Sequence, residues 1–303
     1  MTLILGFDDY LSPAQQLAKS LSAAFKQVAL HQFPDGETKV TLPTVLPKHI
    51  IICRTLNNPN AKMTELIITA AAARNQGVKH ITLVAPYLCY MRQDIAFNPG
   101  EAVSQKIIGN LLAAYFDSVI TIDPHLHRIN NLNEAIPITQ ACALHATSAM
   151  SQFLQQQFSH PVLIGPDEES EQWVKAIAQP HQWPYIIATK ARFGDKNVAV
   201  SLNTHDKHNI KAVSLSNRDV IIVDDIASTG KTLEQAVKQI QQQAPMSISI
   251  IVTHAFFVDN ALTRLKDMGV TNIWSSDSVL HRTNAFSVID TITRQLKKMN
   301  ITN

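Results

Sequence analysis

The chain has 303 residues, 46% of them apolar and 17% charged, with a formal net charge of +2. That profile fits a globular protein with room for two α/β units and argues against a disordered chain. Without a dense Lys/Arg block it also gives no nucleic-acid footprint, and no stretch reaches the ~18 consecutive apolar residues of a membrane span.

Taken in order, short apolar runs alternate with amphipathic ones. Residues 3–6 read as a strand, Ser12 as the cap of a helix starting at Pro13, residues 27–30 as a strand, 39–42 as a half-exposed strand and 49–53 as a buried one. A helix over 64–75 ends against Gly77, and strand 80–85, helix 102–115 and strand 118–122 follow. After a turn near Pro137 the pattern restarts with helix 143–157, strand 162–164, helix 169–178 and strand 185–188. Strand 220–223, a helix from Leu233, strand 247–253, helix 260–268, a last strand at 272–275 and a closing helix over 286–298 complete it. Such alternation predicts two doubly wound parallel-sheet α/β domains, 1–140 and 141–303, with the final helix free to pack back on the first. The opening MTLILGFDDY reads as strand then acids, not as a signal peptide. Cys53, Cys89 and Cys142 are odd in number and widely spaced, as expected of free thiols in a reducing cytoplasm.

The most informative stretch is VIIVDDIASTGKTL, residues 220–233. Four β-branched residues form a strand buried on both faces, and it delivers Asp224 and Asp225 to a small-residue turn that opens a helix. Backbone N–H groups of that turn and the positive helix end suit one phosphate, and the paired acids suit vicinal hydroxyls or Mg²⁺. Together they predict a sugar phosphate. Gly230-Lys231-Thr232 resembles the end of a nucleotide P-loop, but Asp225 stands where that pattern needs glycine.

Three earlier stretches carry further chemistry. HQFPDGETKV, residues 31–40, puts Phe33, Asp35, Gly36 and Glu37 in a tight turn between strands, for which a plain hairpin is the simpler account. In APYLCYMRQD, residues 85–94, Tyr87, Arg92, Gln93 and Asp94 come directly after a strand; in VITIDPHLHR, residues 119–128, a buried strand ends in Asp123, His125 and His127. With the 220–233 stretch, these blocks closely resemble the ribose-phosphate diphosphokinase (pyrophosphokinase) family, which makes phosphoribosyl diphosphate (PRPP). The resemblance runs in order from about residue 3 to about residue 291.

The resemblance implies a fold of two phosphoribosyltransferase-like domains and diphosphoryl transfer from ATP to ribose 5-phosphate with Mg²⁺. It implies that Phe33, Asp35, Gly36 and Glu37 contact the adenosine of ATP, often across a subunit boundary of a homo-oligomer, and that Arg92 and Gln93 bind ATP. His125 and Asp167 would hold Mg²⁺, Asp224 and Asp225 would face the ribose hydroxyls, and Ser228, Thr229, Gly230, Lys231 and Thr232 would cradle the 5-phosphate. Lys190 and Arg192, in ATKARFGDKNV, match the catalytic K-x-R of a mobile loop, with Arg192 also reaching ribose 5-phosphate. The chain departs from the family at Pro166-Asp-Glu-Glu-Ser-Glu171, where Glu168 and Glu169 either recruit a further Mg²⁺ or simply open a helix in which Ser170 adds no constraint. Two alternatives stand beside this reading: a phosphoribosyltransferase that consumes PRPP, and a non-catalytic homologue that regulates a partner.

Overall fold

A computed structural model describes residues 2–126, 128–193, 197–201 and 213–299, with backbone alone for 189–193 and 197–201. His127 and residues 194–196 of the Lys190–Arg192 stretch lie outside the described residues. Two compact units divide the chain, Met1–His145 with Val288–Asn303 and Ala146–Ser287.

The first unit runs β1 (Leu3–Gly6), α1 (Leu11–Ser20), β2 (Ala24–Gln27), β3 (Ala29–Gln32), β4 (Thr38–Thr41), β5 (His49–Cys53), α2 (Pro59–Asn75), β6 (His80–Ala85), α3 (Ser104–Tyr115), β7 (Ser118–Ile122), α4 (Leu132–Ala135) and β8 (Gln140–Leu144). The second runs α5 (Thr147–Gln157), β9 (Val162–Gly165), α6 (Glu171–Ala178), β10 (Tyr185–Ile187), β11 (Thr189–Phe193), β12 (Asn197–Ser201), β13 (Asp219–Ala227), α7 (Lys231–Gln241), β14 (Ser247–Ala255), α8 (Ala261–Asp267), β15 (Asn272–Ser276) and β16 (Asn284–Phe286). The chain then returns to the first unit as α9 (Ile289–Lys298), which packs on α1.

Among the described residues each unit carries one six-stranded parallel sheet, β2-β1-β5-β6-β7-β8 and β10-β9-β13-β14-β15-β16. Numbered by chain order within its own sheet, each reads 2-1-3-4-5-6, so the two sheets share one topology. Order reverses between the first and third strand of each sheet, and ligands of open α/β sheets bind there, outside the strands' carboxyl ends.

The cores follow from the strand period. Val220 and Ile222 of β13 meet Ile248, Ile250 and Val252 of β14 and the α7 stripe Leu233, Ala236, Val237 and Ile240, all buried. Each such side chain contributes about 1.5–3 kcal/mol on leaving water. In the first unit Leu3, Leu5, Ile50, Ile52, Ile81 and Leu83 do the same.

Several elements differ from their sequence reading, each for a local reason. Ser12 caps nothing: α1 starts at Leu11, behind a 3-10 turn at Asp8–Tyr10 anchored by buried Phe7 and Tyr10. Strand 27–30 is two strands, divided at Val28, which is buried and donates its N–H to the Gly6 carbonyl at 2.8 Å. α2 starts early because Pro59 suits a first helical position. It ends in a Schellman turn, with Gly77 N–H on the Arg74 carbonyl and Val78 N–H on that of Ala73. Ala143 and Leu144, read as the start of a helix over 143–157, instead end edge strand β8, because full pairing with β7 outweighs their helix preference, and α5 starts at Thr147. Strand β15 is not the last: β16 pairs with it, and the closing helix starts at Ile289.

Gly109 of α3 is a packing point. A Cβ there would lie 1.7 Å from the Ala135 carbonyl oxygen, a backbone atom that no rotamer can move away. Gly109→Ala gains about 1 kcal/mol of helix propensity yet overpacks a backbone contact at about 1–3 kcal/mol or more. A net loss of stability in chemical denaturation is expected; an unchanged or raised midpoint would contradict this packing.

Candidate active site

In the second sheet the reversal of strand order falls between β9 and β13, and both carry acids past their buried runs. The sequence suggested that β13 stops before Asp224. Instead its pairing with β14 continues through Asp224 opposite Val252 to Ala227 opposite Ala255, so both acids sit within the strand. Asp225 is buried, and its N–H donates to the Asp224 carboxylate at 2.9 Å. The Asp224 carboxyl is raised well above the usual carboxylate range, first by burial and then by the charges of Asp225 and Asp167. These three acids share one electrostatic environment.

Asp167 is held by more than sequence suggested. Its carboxylate accepts the Ser170 N–H at 3.2 Å, while the Ser170 hydroxyl donates to its carbonyl. Ser170 is fully buried and packs so close to Gly165 that a Cβ there would meet its Oγ at 2.2 Å. The expectation that Ser170 adds no constraint is therefore corrected: it clamps the metal-ligand candidate. Glu168 and Glu169 are exposed on the 3-10 turn Glu168–Ser170, and α6 begins only at Glu171.

Beyond Ala227 the chain turns through Ser228 and Thr229 to Gly230, which has φ +75° and opens α7. A side chain there would be strained, and its Cβ would meet Ala261 at 3.0 Å. Lys231 and Thr232 form the first turn of α7, and among the described residues no side chain caps it. Its first amides thus face outward at the positive end of the helix, the arrangement that receives an anion.

The first unit holds the other candidates. Strands β3 and β4 form a separate antiparallel hairpin. Its loop is Pro34-Asp35-Gly36, closed by Phe33 N–H to the Glu37 carbonyl at 2.8 Å and by Glu37 N–H to the Asp35 carboxylate at 3.1 Å. Phe33 is 42% exposed, edge-on to His31. Arg92 is exposed, and Gln93 accepts the Ser104 hydroxyl at 2.9 Å, which ties it to the start of α3. His125 is half-buried just beyond β7. Lys190 and Arg192 occupy alternate positions of β11, opposite Val200 and Val198 of β12.

Sequence reasoning missed two tethers here. Asp94 is buried and accepts from Arg128 at 2.7 Å, joining the loop after β6 to the loop after β7; its other carboxylate oxygen has no hydrogen-bond partner among the described residues. Asp123, buried at φ +36°, meets His145 Nδ1 at 2.8 Å, and that bond raises the His145 pKa. All four residues stood in or near quoted motifs, but nothing in linear spacing pairs them. At the equivalent strand-order reversal of the first sheet, between β1 and β5, the acids are instead paired with cations. Buried Arg54 fills it, bonded to Asp9 at 3.3 Å and Glu65 at 2.6 Å and stacked 4.1 Å over Phe7, with Lys62 on Asp9 at 2.6 Å.

Comparison with known proteins bears on both units. A family model of the N-terminal domain of ribose phosphate pyrophosphokinase matches residues 3–115, and one of the phosphoribosyl transferase domain matches residues 133–288. Ribose-phosphate pyrophosphokinase of Methanopyrus kandleri is 28% identical over 98% of this chain and 99% of its own. That of Sulfurisphaera tokodaii is 28% identical over 91% and 92%. The crystal structure of phosphoribosylpyrophosphate synthetase from Mycobacterium smegmatis superposes with a TM-score of 0.84 over the full length of both chains, at 18% identity.

The raised Asp224 carboxyl has a consequence for stability. Its protonated form is favoured by the fold, so its contribution is present below the unfolded value of about 3.9 and is lost as pH rises through the folded pKa. Asp224→Asn is therefore expected to melt higher than the unchanged protein at pH 7, each kcal/mol recovered being about 2–4 °C, with the gap closing on acidification toward pH 4. Calorimetry across that range, without divalent cation, checks it; a variant melting lower at pH 7 would remove the repulsion assigned here.

Proposed function

The chain belongs to the ribose-phosphate pyrophosphokinase family, and from that membership we propose how its residues transfer a diphosphoryl group from ATP to ribose 5-phosphate, giving PRPP and AMP. One observation carries the reading: three interacting carboxylates stand at the strand-order reversal of the second sheet, beside an uncapped helix start. Acids beside an anion site suit a polyhydroxyl ligand that bears a phosphate.

The opening amides of α7, with Ser228 to Thr232, hold the 5-phosphate, and Asp224 and Asp225 accept from the ribose hydroxyls. The anomeric hydroxyl then lies where it can attack the β-phosphorus of ATP. Its oxygen forms the new bond to phosphorus, the bridge to the α-phosphate breaks, AMP departs and the hydroxyl proton is released. Lys190 and Arg192 neutralise charge on the migrating group, and with positioning this supplies most of the acceleration. On the nucleotide side Phe33, Asp35, Gly36 and Glu37 receive the adenosine, the hairpin serving a neighbouring subunit of a homo-oligomer, while Arg92 and Gln93 bind ATP.

The acid set suits Mg²⁺: carboxylate oxygens are its preferred protein ligands, and the repulsion that raises Asp224 is what a cation relieves. Among the described residues no group of three or more His, Cys, Asp or Glu side chains is arranged as a complete metal site. Mg²⁺ is commonly bound through one or two protein ligands and otherwise by substrate oxygens, and His125 and Asp167 are the side chains that the family resemblance offers for that role. When bound, it withdraws charge from the phosphates. No helix among the described residues is long and apolar enough to cross a membrane. Three free cysteines fit our placement of the enzyme in the reducing cytoplasm.

The deciding experiment is formation of AMP and PRPP from ATP, ribose 5-phosphate and Mg²⁺ by the purified chain. PRPP consumed with a nucleobase, without need of ATP, would replace this reading by the transferase one. Lys190→Ala is expected to lower kcat by roughly 10²-fold with little change in KM; near-normal kcat would remove its role. Phe33→Ala is expected to weaken ATP by about 1–2 kcal/mol through lost stacking. An active monomer in sedimentation at assay concentration would rule out the cross-subunit hairpin.

A further inference from the structure

The loop that follows β13 is gripped from behind by one side chain. Arg264 of α8 donates through Nε to the Glu234 carboxylate of α7 at 2.8 Å, through Nη2 to the Thr229 carbonyl at 2.7 Å and through Nη1 to the Asp259 carbonyl. One planar fork thus ties together the loop, the helix it opens and the turn before α8. That turn is itself unusual: Phe257, Asp259 and Asn260 have φ of +41°, +53° and +57°, a conformation non-glycine residues adopt only when their surroundings enforce it. Bonds from Phe256 and Phe257 N–H to the Ala227 carbonyl and from Val258 N–H to the Ser228 carbonyl hold it against the loop.

We propose that Arg264 is the positioning residue of the phosphate loop: by holding the Thr229 carbonyl on its own side, it fixes the following amide toward the ligand. A trans peptide is planar, with C=O and N–H pointing in opposite directions. With the Thr229 oxygen bound to Arg264, the Gly230 N–H is turned away from α8, and among the described residues no acceptor is bonded to it. The Gly230 carbonyl is fixed in turn by the Glu234 N–H at 2.8 Å. The peptide before Gly230, the glycine with φ +75°, is therefore set by the Arg264 side chain and the one after it by the first backbone bond of α7, while the Glu234 carboxylate holds the Arg264 fork. Without the fork the Thr229–Gly230 peptide is free to flip, which would aim a carbonyl oxygen at a phosphate. Lysine cannot substitute, because a point charge does not satisfy three acceptors in one plane.

The inference rests on the reading of this loop as the ribose 5-phosphate site, and the test separates the two. Ribose 5-phosphate is titrated calorimetrically into the unchanged protein, Arg264→Gln, Arg264→Lys and Arg264→Gln/Glu234→Gln, without ATP. Initial rates then give KM for each substrate, and melting is followed in parallel. Arg264→Gln is expected to weaken ribose 5-phosphate roughly 10- to 100-fold, with the KM for ATP changed by no more than about twofold. The double variant should be no worse than Arg264→Gln, because the two side chains act as one unit. Arg264→Lys, which keeps charge and stem, is expected to show the same selective loss even if Arg264→Gln folds poorly. Arginine variants that bind ribose 5-phosphate normally, or lose both substrates alike, would overturn the positioning role while leaving the site. An unchanged protein that binds no ribose 5-phosphate would overturn the reading of the loop and this inference together.

Discussion

Repulsion among Asp167, Asp224 and Asp225 is the constraint to which the second unit is fitted. Burial first, and then the charges of Asp225 and Asp167, disfavour the ionised form of Asp224 and raise its pKa. The surroundings hold the acids in place regardless. β13 stays paired with β14 past both of its acids, and Ser170, wedged against Gly165, keeps Asp167 from swinging outward. A site so held does not relax to a more comfortable arrangement when empty. Under the proposed reading, a bound cation would relieve an electrostatic cost already present, as a preorganised site does.

The sequence exposed the parts of this architecture that depend on short-range pattern. Runs such as HIIIC, HITLVA and SVITI have no polar face, and each is a buried parallel strand of the first sheet. The acids after VIIV and the Thr-Gly-Lys turn stand out as a candidate phosphate loop because composition and order are both specific there. What stayed hidden depends on partners far along the chain. QACAL carries a helix preference, and only its alignment with β7 makes it a strand. Arg264 looks like any exposed arginine on a helix, yet its three acceptors come from Thr229, Glu234 and Asp259. Asp94 and Arg128 lie 34 residues apart, and each was visible only as part of its own motif. Ser170 was misjudged because a serine among four acids reads as filler until Gly165 is seen to leave room for it.

The two sheets share one strand order but differ in how they treat its reversal. In the second unit the edge is acidic and opens onto an uncapped helix. In the first, a buried arginine is neutralised by acids from the β1–α1 connection and from α2, and Lys62 also bonds to the Asn57 side chain and the Thr55 carbonyl. The first unit instead presents its polar groups on the loops after β6 and β7 and on the detached hairpin. Thr38 of that hairpin reaches Glu65 at 3.4 Å, so the filled edge also helps to anchor it.

That filled edge sets how freely its own side chains can be exchanged. Arg54, Asp9, Lys62 and Glu65 answer to one another, so any one of them can change over generations only if its neighbours change in compensation, as a matched set. The acids of the second unit are instead like charges set near one another, so replacing one of them leaves no buried cation unpaired. On one shared strand order, the charges at the first reversal can be altered only together and those at the second one at a time.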